Sequence, residues 1–320
     1  MKTVRKAVIT AAGKGTRQYP ASTTVQKEML PLVDVDGITK PTIQIICEEA
    51  IESGIEEICI ITNPEVDAQM RRHFQPIPEN LLPAFAGKDW ALAQSEKLRN
   101  LQARLTFVLQ DSPEGYGHAV YQAREFVGDE PFVLLLGDHV YISRTAKRCA
   151  RQVIDVYNLC GCSVSAVSAT PEHLLHLFGA MAGNLISTEP NTYEVTVIQE
   201  KPSVDFAEKN LKVEGVHPGY YLCLFGMHAF TPALFDVLEH NIKNDIRDNG
   251  EIQLTNALET LRQRERYVAF EARGDRYDMG VPFGFVETQM GLALNSPFRD
   301  QILASLIRSL AKNVSGEMLW

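Results

Sequence analysis

The chain has 320 residues, 31 basic and 40 acidic side chains, a formal net charge of −9, and 45% apolar and 8% aromatic residues. That length and apolar content suffice for a sizeable core and exclude a disordered chain. No apolar run approaches the roughly 20 residues that a membrane-spanning helix needs, and the acidic balance argues against wholesale wrapping of nucleic acid while leaving room for a local basic pocket.

Met1 to Lys6 leads into a short strand pattern rather than a signal-peptide core, so a cytoplasmic location without membrane or nucleic-acid partners is expected. Lys6-Ala7-Val8-Ile9-Thr10 reads as a buried strand that delivers the chain into the small-residue loop Ala11-Ala12-Gly13-Lys14-Gly15-Thr16-Arg17. Ile43, Ile46, Cys47, Ala50 and Ile51 recur at helical spacing and Gly54 follows, which predicts a helix ending near Ser53. Ile58–Ile61 is the next apolar run, so strand, loop, helix and strand follow in the order of a parallel crossover. Residues 75–104 lose the strand signal, become Pro-rich and then helical, and read as an insertion. Leu105–Leu109 and Phe132–Leu136 are further strands, with a helix expected near Gly117–Phe126. Fully apolar strands of this kind predict a sheet covered on both faces.

Further along, the pattern predicts a helix over Arg144–Leu159, strands at Ser163–Ala169, Tyr193–Gln199 and Gly219–Phe225, and a helix over Ile252–Arg264. Phe283–Lys312 is helical in composition, and Glu317-Met318-Leu319-Trp320 reads as a packing or subunit-contact arm. Six scattered cysteines show neither a disulfide framework nor zinc spacing, so reduced thiols are expected. His173 and His176 share a helical spacing but lack a third ligand and are read as ordinary histidines.

The glycine loop excludes two common nucleotide folds. Gly13-Lys14-Gly15 is not followed by the third glycine of a dinucleotide fingerprint, and only one residue separates the two glycines where a Walker loop needs four. What remains is a loop whose backbone N–H groups can approach phosphates, with Lys14, Arg17 and Lys27 bringing positive charge to the same region. That combination suits a polyphosphate; a tight turn with solvated charges is the plain alternative. No Ser-His-Asp or Cys-His arrangement stands out.

Read together, Ala12-Gly13-Lys14-Gly15-Thr16-Arg17-Gln18-Tyr19-Pro20 and Lys27-Glu28-Met29-Leu30-Pro31-Leu32 closely resemble the signature of sugar-phosphate nucleotidylyltransferases, and Lys27–Asp34 resembles the bacterial UTP–glucose-1-phosphate uridylyltransferases in particular. The likeness continues in Gln110–Ala119, Leu136-Gly137-Asp138, Phe178-Gly179, Glu200-Lys201-Pro202, Gly250–Thr255 and Tyr277-Asp278-Met279-Gly280. Four features depart from the pattern. Gln26 stands where a proline is usual, Ser22 replaces a threonine, Val35–Thr39 looks inserted, and Asp138 is flanked by Gly137 and His139.

The resemblance implies an α/β, Rossmann-like nucleotidyltransferase fold with a mixed, mostly parallel central sheet. A nucleotidyltransferase domain would span 1–281, with a nucleotide-binding half at about 1–142 and a sugar-binding half at about 143–281, and a helical C-terminal extension would occupy 282–320. It implies Mg²⁺-dependent conversion of UTP and glucose-1-phosphate to UDP-glucose and pyrophosphate, by a chain that is commonly a dimer or tetramer in the family. Asp138 and Asp278 would hold the metal, and Arg17, Lys27 and Lys201 would join them as catalytic residues. Ala12, Gly13, Gly15, Thr16, Arg17, Glu28, Gln110 and Gly115 would bind the nucleotide, and Gly179, Glu200, Lys201 and Gly219 the sugar phosphate. His139 beside Asp138 is expected to tune the site or simply pack. Another pyrimidine nucleotide or sugar phosphate, such as dTTP with galactose- or N-acetylglucosamine-1-phosphate, remains a rival reading. A non-catalytic NDP-sugar-binding homologue is a second.

Overall fold

A computed structural model describes residues 2–314, with side chains through residue 311. The arm expected at Glu317–Trp320 lies outside the described residues. In chain order the strands are β1 (Lys6–Thr10), β2 (Pro31–Val33), β3 (Thr39–Pro41), β4 (Glu57–Thr62), β5 (Leu105–Leu109), β6 (Phe132–Leu136) and β7 (His139–Ser143). They continue with β8 (Ser163–Pro171), β9 (Ala180–Thr188), β10 (Asn191–Gln199), β11 (Tyr220–Phe230), β12 (Tyr267–Glu271) and β13 (Gly274–Asp278). The described chain divides into two compact units that interleave in sequence. The first comprises residues up to 13, 47–137 and 143–274; the second comprises 14–46, 138–142 and 275 onward.

The first unit holds a nine-stranded sheet in the order β5-β4-β1-β6-β11-β8-β12-β10-β9. β5, β4, β1 and β6 are mutually parallel, β8 and β12 pair in parallel, and among the described strands of this sheet only β11 and β10 run against the rest. The sheet is therefore mixed and mostly parallel, as the motifs implied. β1 and β6 read as near-continuous apolar runs because both faces are covered: Ala7, Val8, Ile9, Val133, Leu134 and Leu135 are fully buried. β5 departs from that expectation. Its run Leu105-Thr106-Phe107-Val108-Leu109 is equally apolar, yet it forms the sheet edge and is only half buried, with Leu109 exposed.

The helix expected to end near Ser53 runs Thr42–Glu52, and Gly54 follows at φ 95°, in the left-handed region. The helix expected at 117–126 is broken into Tyr116–Tyr121 and Arg124–Val127, and the one expected at Arg144–Leu159 starts later, at Cys149. The 75–104 segment contains a 3₁₀ stretch at Glu79–Phe85 and a helix at Asp89–Gln102. The strand expected at Gly219–Phe225 continues to Phe230 as β11. The six cysteines are free thiols, all buried except the half-buried Cys160.

The second unit is built on two small ribbons, β2–β3 and β7–β13, and the helices Pro282–Leu294 and Arg299–Val314. Leu32, Ile45, Val140, Met279 and Leu292 form its apolar centre. The apparent insertion Val35–Thr39 is the turn of the β2–β3 hairpin, where Asp34 N–H donates to Ile38 O (2.9 Å) and the buried Lys40 bonds Asp34 and Asp36 (both 2.6 Å).

Candidate functional site

In the second unit, Asp138 leads into β7 and Asp278 closes β13. Met279 N–H donates to Asp138 O (2.8 Å), and this backbone bond brings the two distant segments together. One Asp138 carboxylate oxygen pairs with Lys27 Nζ and the other lies 2.9 Å from His139 Nδ1. Asp278 Oδ1 accepts the Gly280 N–H at 2.7 Å, and Oδ2 lies 4.0 Å from Arg17. Arg17 belongs to the short 3₁₀ turn Thr16–Gln18, which begins after Gly15 at φ 62°; Gln18 Nε2 tethers that turn by donating to Met279 O (2.7 Å).

Donor atoms of Asp138, His139 and Asp278 all lie within 4.8 Å of one another. Gly280 keeps the space at the two carboxylates open. A Cβ there would stand 2.8 Å from Asp278 Oδ1, 3.0 Å from Asp138 Oδ2 and 2.8 Å from an Arg17 nitrogen. Two hard carboxylates around such a cradle fit a divalent cation that takes oxygen ligands, so this donor set suits the divalent metal that the motif resemblance implies. Gly280 carries this role without having been singled out by the sequence reading, although its motif was.

The charges in this cluster are strongly interdependent. Burial opposes the charge on Asp138, but the Lys27 ammonium and the His139 imidazole outweigh it and hold the carboxyl well below the usual carboxylate range. Burial likewise opposes the charge on Lys27, and the Asp138 and Glu28 carboxylates override it to keep the ammonium form. Glu28 is 1% exposed, with Oε1 3.6 Å from Lys27 and Oε2 without a hydrogen bond. Its burial pushes the carboxyl up to about 7 despite Lys27 and a hydrogen bond from Gln26. Gln26, where the family pattern has proline, is thus a partner of Glu28.

Glu28 carries a pH signature. In the window between its ordinary value of 4.5 and about 7 the folded chain holds a proton that the unfolded chain releases, so stability falls as pH rises through it. Glu28→Gln is expected to raise the melting temperature relative to the parent at pH 8, by up to about 3 kcal/mol of stability, and to leave it unchanged at pH 4. Scanning calorimetry of both proteins at the two pH values checks this; a gain of equal size at both would remove the carboxyl proton as the cause.

The remaining expected residues lie in the first unit. Ala12 is buried, and its carbonyl accepts from Asn63 Nδ2 (3.2 Å), while Gly13 is exposed. Gln110 N–H donates to Thr62 O (2.8 Å), extending the β4–β5 pairing, and its side chain reaches back to His118 Nδ1 at 2.9 Å. Gly115, at φ 120°, opens the helix Tyr116–Tyr121. Glu200 is half buried; Oε2 accepts from Thr255 Oγ1 (2.6 Å) and Oε1 lies 3.8 Å from Lys201 Nζ. Gly179 gives Glu200 room, since a Cβ there would sit 3.0 Å from Glu200 Oε2. Lys201 is exposed and holds φ 39°, a left-handed conformation that costs a non-glycine residue about 1–3 kcal/mol. Gly219 has φ 80° and donates no side-chain bulk to its surroundings; its carbonyl accepts the Glu172 N–H (2.9 Å). His118 and Thr255, each bonded to an expected site residue, were not foreseen individually although both fall inside quoted motifs.

The family described as Nucleotidyl transferase matches residues 6–294, and the chain belongs to that family. It is 39% identical over 307 residues to the UTP–glucose-1-phosphate uridylyltransferase of Bacillus subtilis, covering 95% of this chain and 96% of that one. It is 37% identical over 311 residues to the enzyme of the same name from Staphylococcus epidermidis, covering 97% and 99%. Among solved structures it is similar to a UDP-glucose pyrophosphorylase from Acinetobacter baumannii, with TM-score 0.79, 27% identity and coverage of 96% of this chain and 100% of that one. A UDP-glucose pyrophosphorylase complexed with UDP-glucose matches with TM-score 0.72 and 29% identity over 90% of this chain and 98% of that one. The resemblance carried by the motifs thus extends along nearly the whole chain.

Proposed function

We propose that the protein makes UDP-glucose and pyrophosphate from UTP and glucose-1-phosphate with the help of Mg²⁺. The observation that carries this reading is the Asp138–Asp278 carboxylate pair facing Lys27 and Arg17 across the space left by Gly280, in a chain whose near-full-length relatives bear that enzyme name. Asp138 and Asp278 would hold the ion, which when bound draws charge from phosphate oxygens and so lowers the cost of bringing two anions together.

An oxygen of the glucose-1-phosphate phosphate attacks the α-phosphorus of UTP, the bond from that phosphorus to the bridging oxygen of the β-phosphate breaks, and pyrophosphate leaves. The attacking oxygen is already anionic at neutral pH, so no residue has to remove a proton; alignment and charge neutralisation supply the catalysis. Arg17 through its planar fork and Lys27 as a point charge neutralise the polyphosphate. The loop of Gly13, Gly15 and Thr16 lets backbone approach the phosphates, and Ala12, Glu28, Gln110 and Gly115 define the nucleoside site. Lys201 holds the sugar phosphate, Glu200 accepts hydrogen bonds from sugar hydroxyls, and Gly179 and Gly219 allow the hexose close to the backbone.

The division into nucleotide-binding and sugar-binding halves, 1–142 and 143–281, with residues 282–320 as an extension, belongs to the same proposal. So does a cytoplasmic homo-oligomer, a dimer or tetramer. The exposed Phe283, Val286, Ile307 and Leu310 on the two C-terminal helices support the oligomer, and among the described residues no helix is long and apolar enough to cross a membrane. Light scattering of the purified chain tests the oligomer.

The function is tested by pyrophosphate release with Mg²⁺ across UTP, dTTP, CTP and ATP against glucose-, galactose- and N-acetylglucosamine-1-phosphate. Turnover concentrated on UTP with glucose-1-phosphate is expected. Turnover concentrated elsewhere corrects the substrate, and binding of UDP-glucose without any turnover replaces the enzyme with a sensor. Lys201→Ala is expected to raise the KM for glucose-1-phosphate at least tenfold while changing the KM for UTP little. An effect confined to UTP would move Lys201 to the nucleotide.

A further inference from the structure

Gln110 can read a nucleobase in two opposite senses, because a carboxamide turned by half a rotation exchanges an acceptor for a donor. Its surroundings decide the sense. The side chain is 5% exposed, with Nε2 2.9 Å from His118 Nδ1 and 3.4 Å from Gly115 O, and Oε1 takes no hydrogen bond among the described residues. His118 is held in turn by the helix Tyr116–Tyr121, which is pinned by Gly117 N–H donating to Ile252 O and Ile252 N–H donating to Glu114 O, both 2.8 Å. On the other side of the ring, Gln122 Nε2 lies 3.1 Å from His118 Nε2 and 3.3 Å from His118 O.

Two amide nitrogens facing one imidazole cannot both donate to it, since at least one ring nitrogen carries a proton. One carboxamide must therefore present its oxygen to the ring. Turning either carboxamide sets its oxygen against a carbonyl, Gly115 O for Gln110 and His118 O for Gln122; Gln110 is buried and has no water to separate the two acceptors, whereas Gln122 is half buried and is compensated by solvent. Nδ1 of His118 is then the acceptor and Nε2 the donor. Both hydrogens of Gln110 Nε2 are used within the protein, and the amide oxygen is the only group Gln110 has left to offer a ligand.

We propose that His118 is a specificity-positioning residue. By holding the amide nitrogen of Gln110, it leaves an acceptor-only face that matches the N3–H of uracil or thymine and mismatches the N3 lone pair of cytosine. This rests on the uridylyl-transfer reading above and adds to it the residue that sets the pyrimidine preference. A buried acceptor facing an acceptor is a repulsive mismatch, so the discrimination comes as much from rejecting cytosine as from favouring uracil.

The test compares kcat/KM for UTP with that for CTP, at saturating glucose-1-phosphate and Mg²⁺. His118→Phe is expected to lower the UTP-to-CTP ratio at least tenfold, mainly through a higher KM for UTP, because Gln110 is freed to turn over. His118→Asn, whose side-chain oxygen can accept from Gln110, is expected to restore most of the ratio. Gln122→Leu, on the half-buried side of the ring, should lower the ratio severalfold, and it decides the matter should His118→Phe fail to fold. Folded variants that lose UTP and CTP activity in equal proportion, or keep the parental ratio, overturn the inference while the enzyme reading stands. A parental protein inactive with UTP would overturn that reading and this inference with it.

Discussion

Asp138→Asn is expected to reduce turnover of UTP and glucose-1-phosphate by about 10³-fold or more, while the chain still folds. The size follows from removing a charged ligand from a site whose catalysis is electrostatic, where single groups are worth about that factor. The survival of the fold follows from the neighbouring carboxyl. Burial and Asp138 together push Glu28 up, and Lys27 pulls it down. When the Asp138 charge is deleted, Glu28 is free to ionise beside Lys27 and the buried ammonium keeps a partner. The expected stability loss is therefore smaller than the roughly 3–5 kcal/mol that follows when a buried ion pair loses one member. Steady-state pyrophosphate release and thermal melting measure the two halves of this expectation, and calorimetric titration with Mg²⁺ should show weakened binding. Near-parental turnover would take Asp138 out of the metal site, and a chain that does not fold would show that Glu28 cannot substitute.

Gly115→Ala is expected to act in the opposite way, on the scaffold first. At φ 120° the backbone is in a region that L side chains avoid, and a Cβ would stand 2.8 Å from both N and O of Ile252 and 2.9 Å from Glu251 Cβ. Those Ile252 atoms are the ones that bond Glu114 O and Gly117 N, so the methyl group cannot be relieved by a side-chain rotation; the two loops have to separate and lose both bonds. Backbone strain and two broken hydrogen bonds together cost about 3 kcal/mol or more. Gly115 also carries the carbonyl beside Gln110, so the surviving folded fraction should bind UTP more weakly. Urea unfolding and the KM for UTP check the result; a stability within about 0.5 kcal/mol of the parent would mean that the loop relaxes around the methyl group.

Much of the first 142 residues was legible because its signals are local. β1, β4 and β6 are apolar runs that meet a small-residue loop or a turn, and the helix Thr42–Glu52 is an apolar stripe ended by Gly54. Each of these is decided by a handful of consecutive residues. β7 and β13 were not foreseen: the apolar part of His139–Ser143 is only the short run Val140-Tyr141-Ile142, and Gly274-Asp275-Arg276-Tyr277-Asp278 has no buried residue; they are strands because they find each other. β9 is similar: its second half, Asn184–Thr188, is largely exposed and is held by its pairing with β10. β5 shows the converse. Its composition announces burial, but composition records apolarity and not whether a neighbouring strand lies on both sides.

The residues of the candidate site were readable one by one, and their couplings were not. Sequence alone placed Asp138 after a buried strand, Asp278 before Met279-Gly280, and Lys27 in a basic segment, and the motif order gave them a common chemistry. Only the folded chain shows that Lys27 lies on Asp138, that Gly280 keeps the space at the carboxylates, that Gln26 and Lys27 surround a buried Glu28, and that His118 orients Gln110. The family, the parallel strand core and the set of charged residues can be read along the chain, because periodicity and motif spacing are local properties. Folding in three dimensions sets which carboxyl is held ionised, which glycine has no substitute and which atom of Gln110 is engaged by His118. Those properties depend on distances between residues far apart in sequence and on how much water is excluded around them, and neither quantity is encoded in any local stretch.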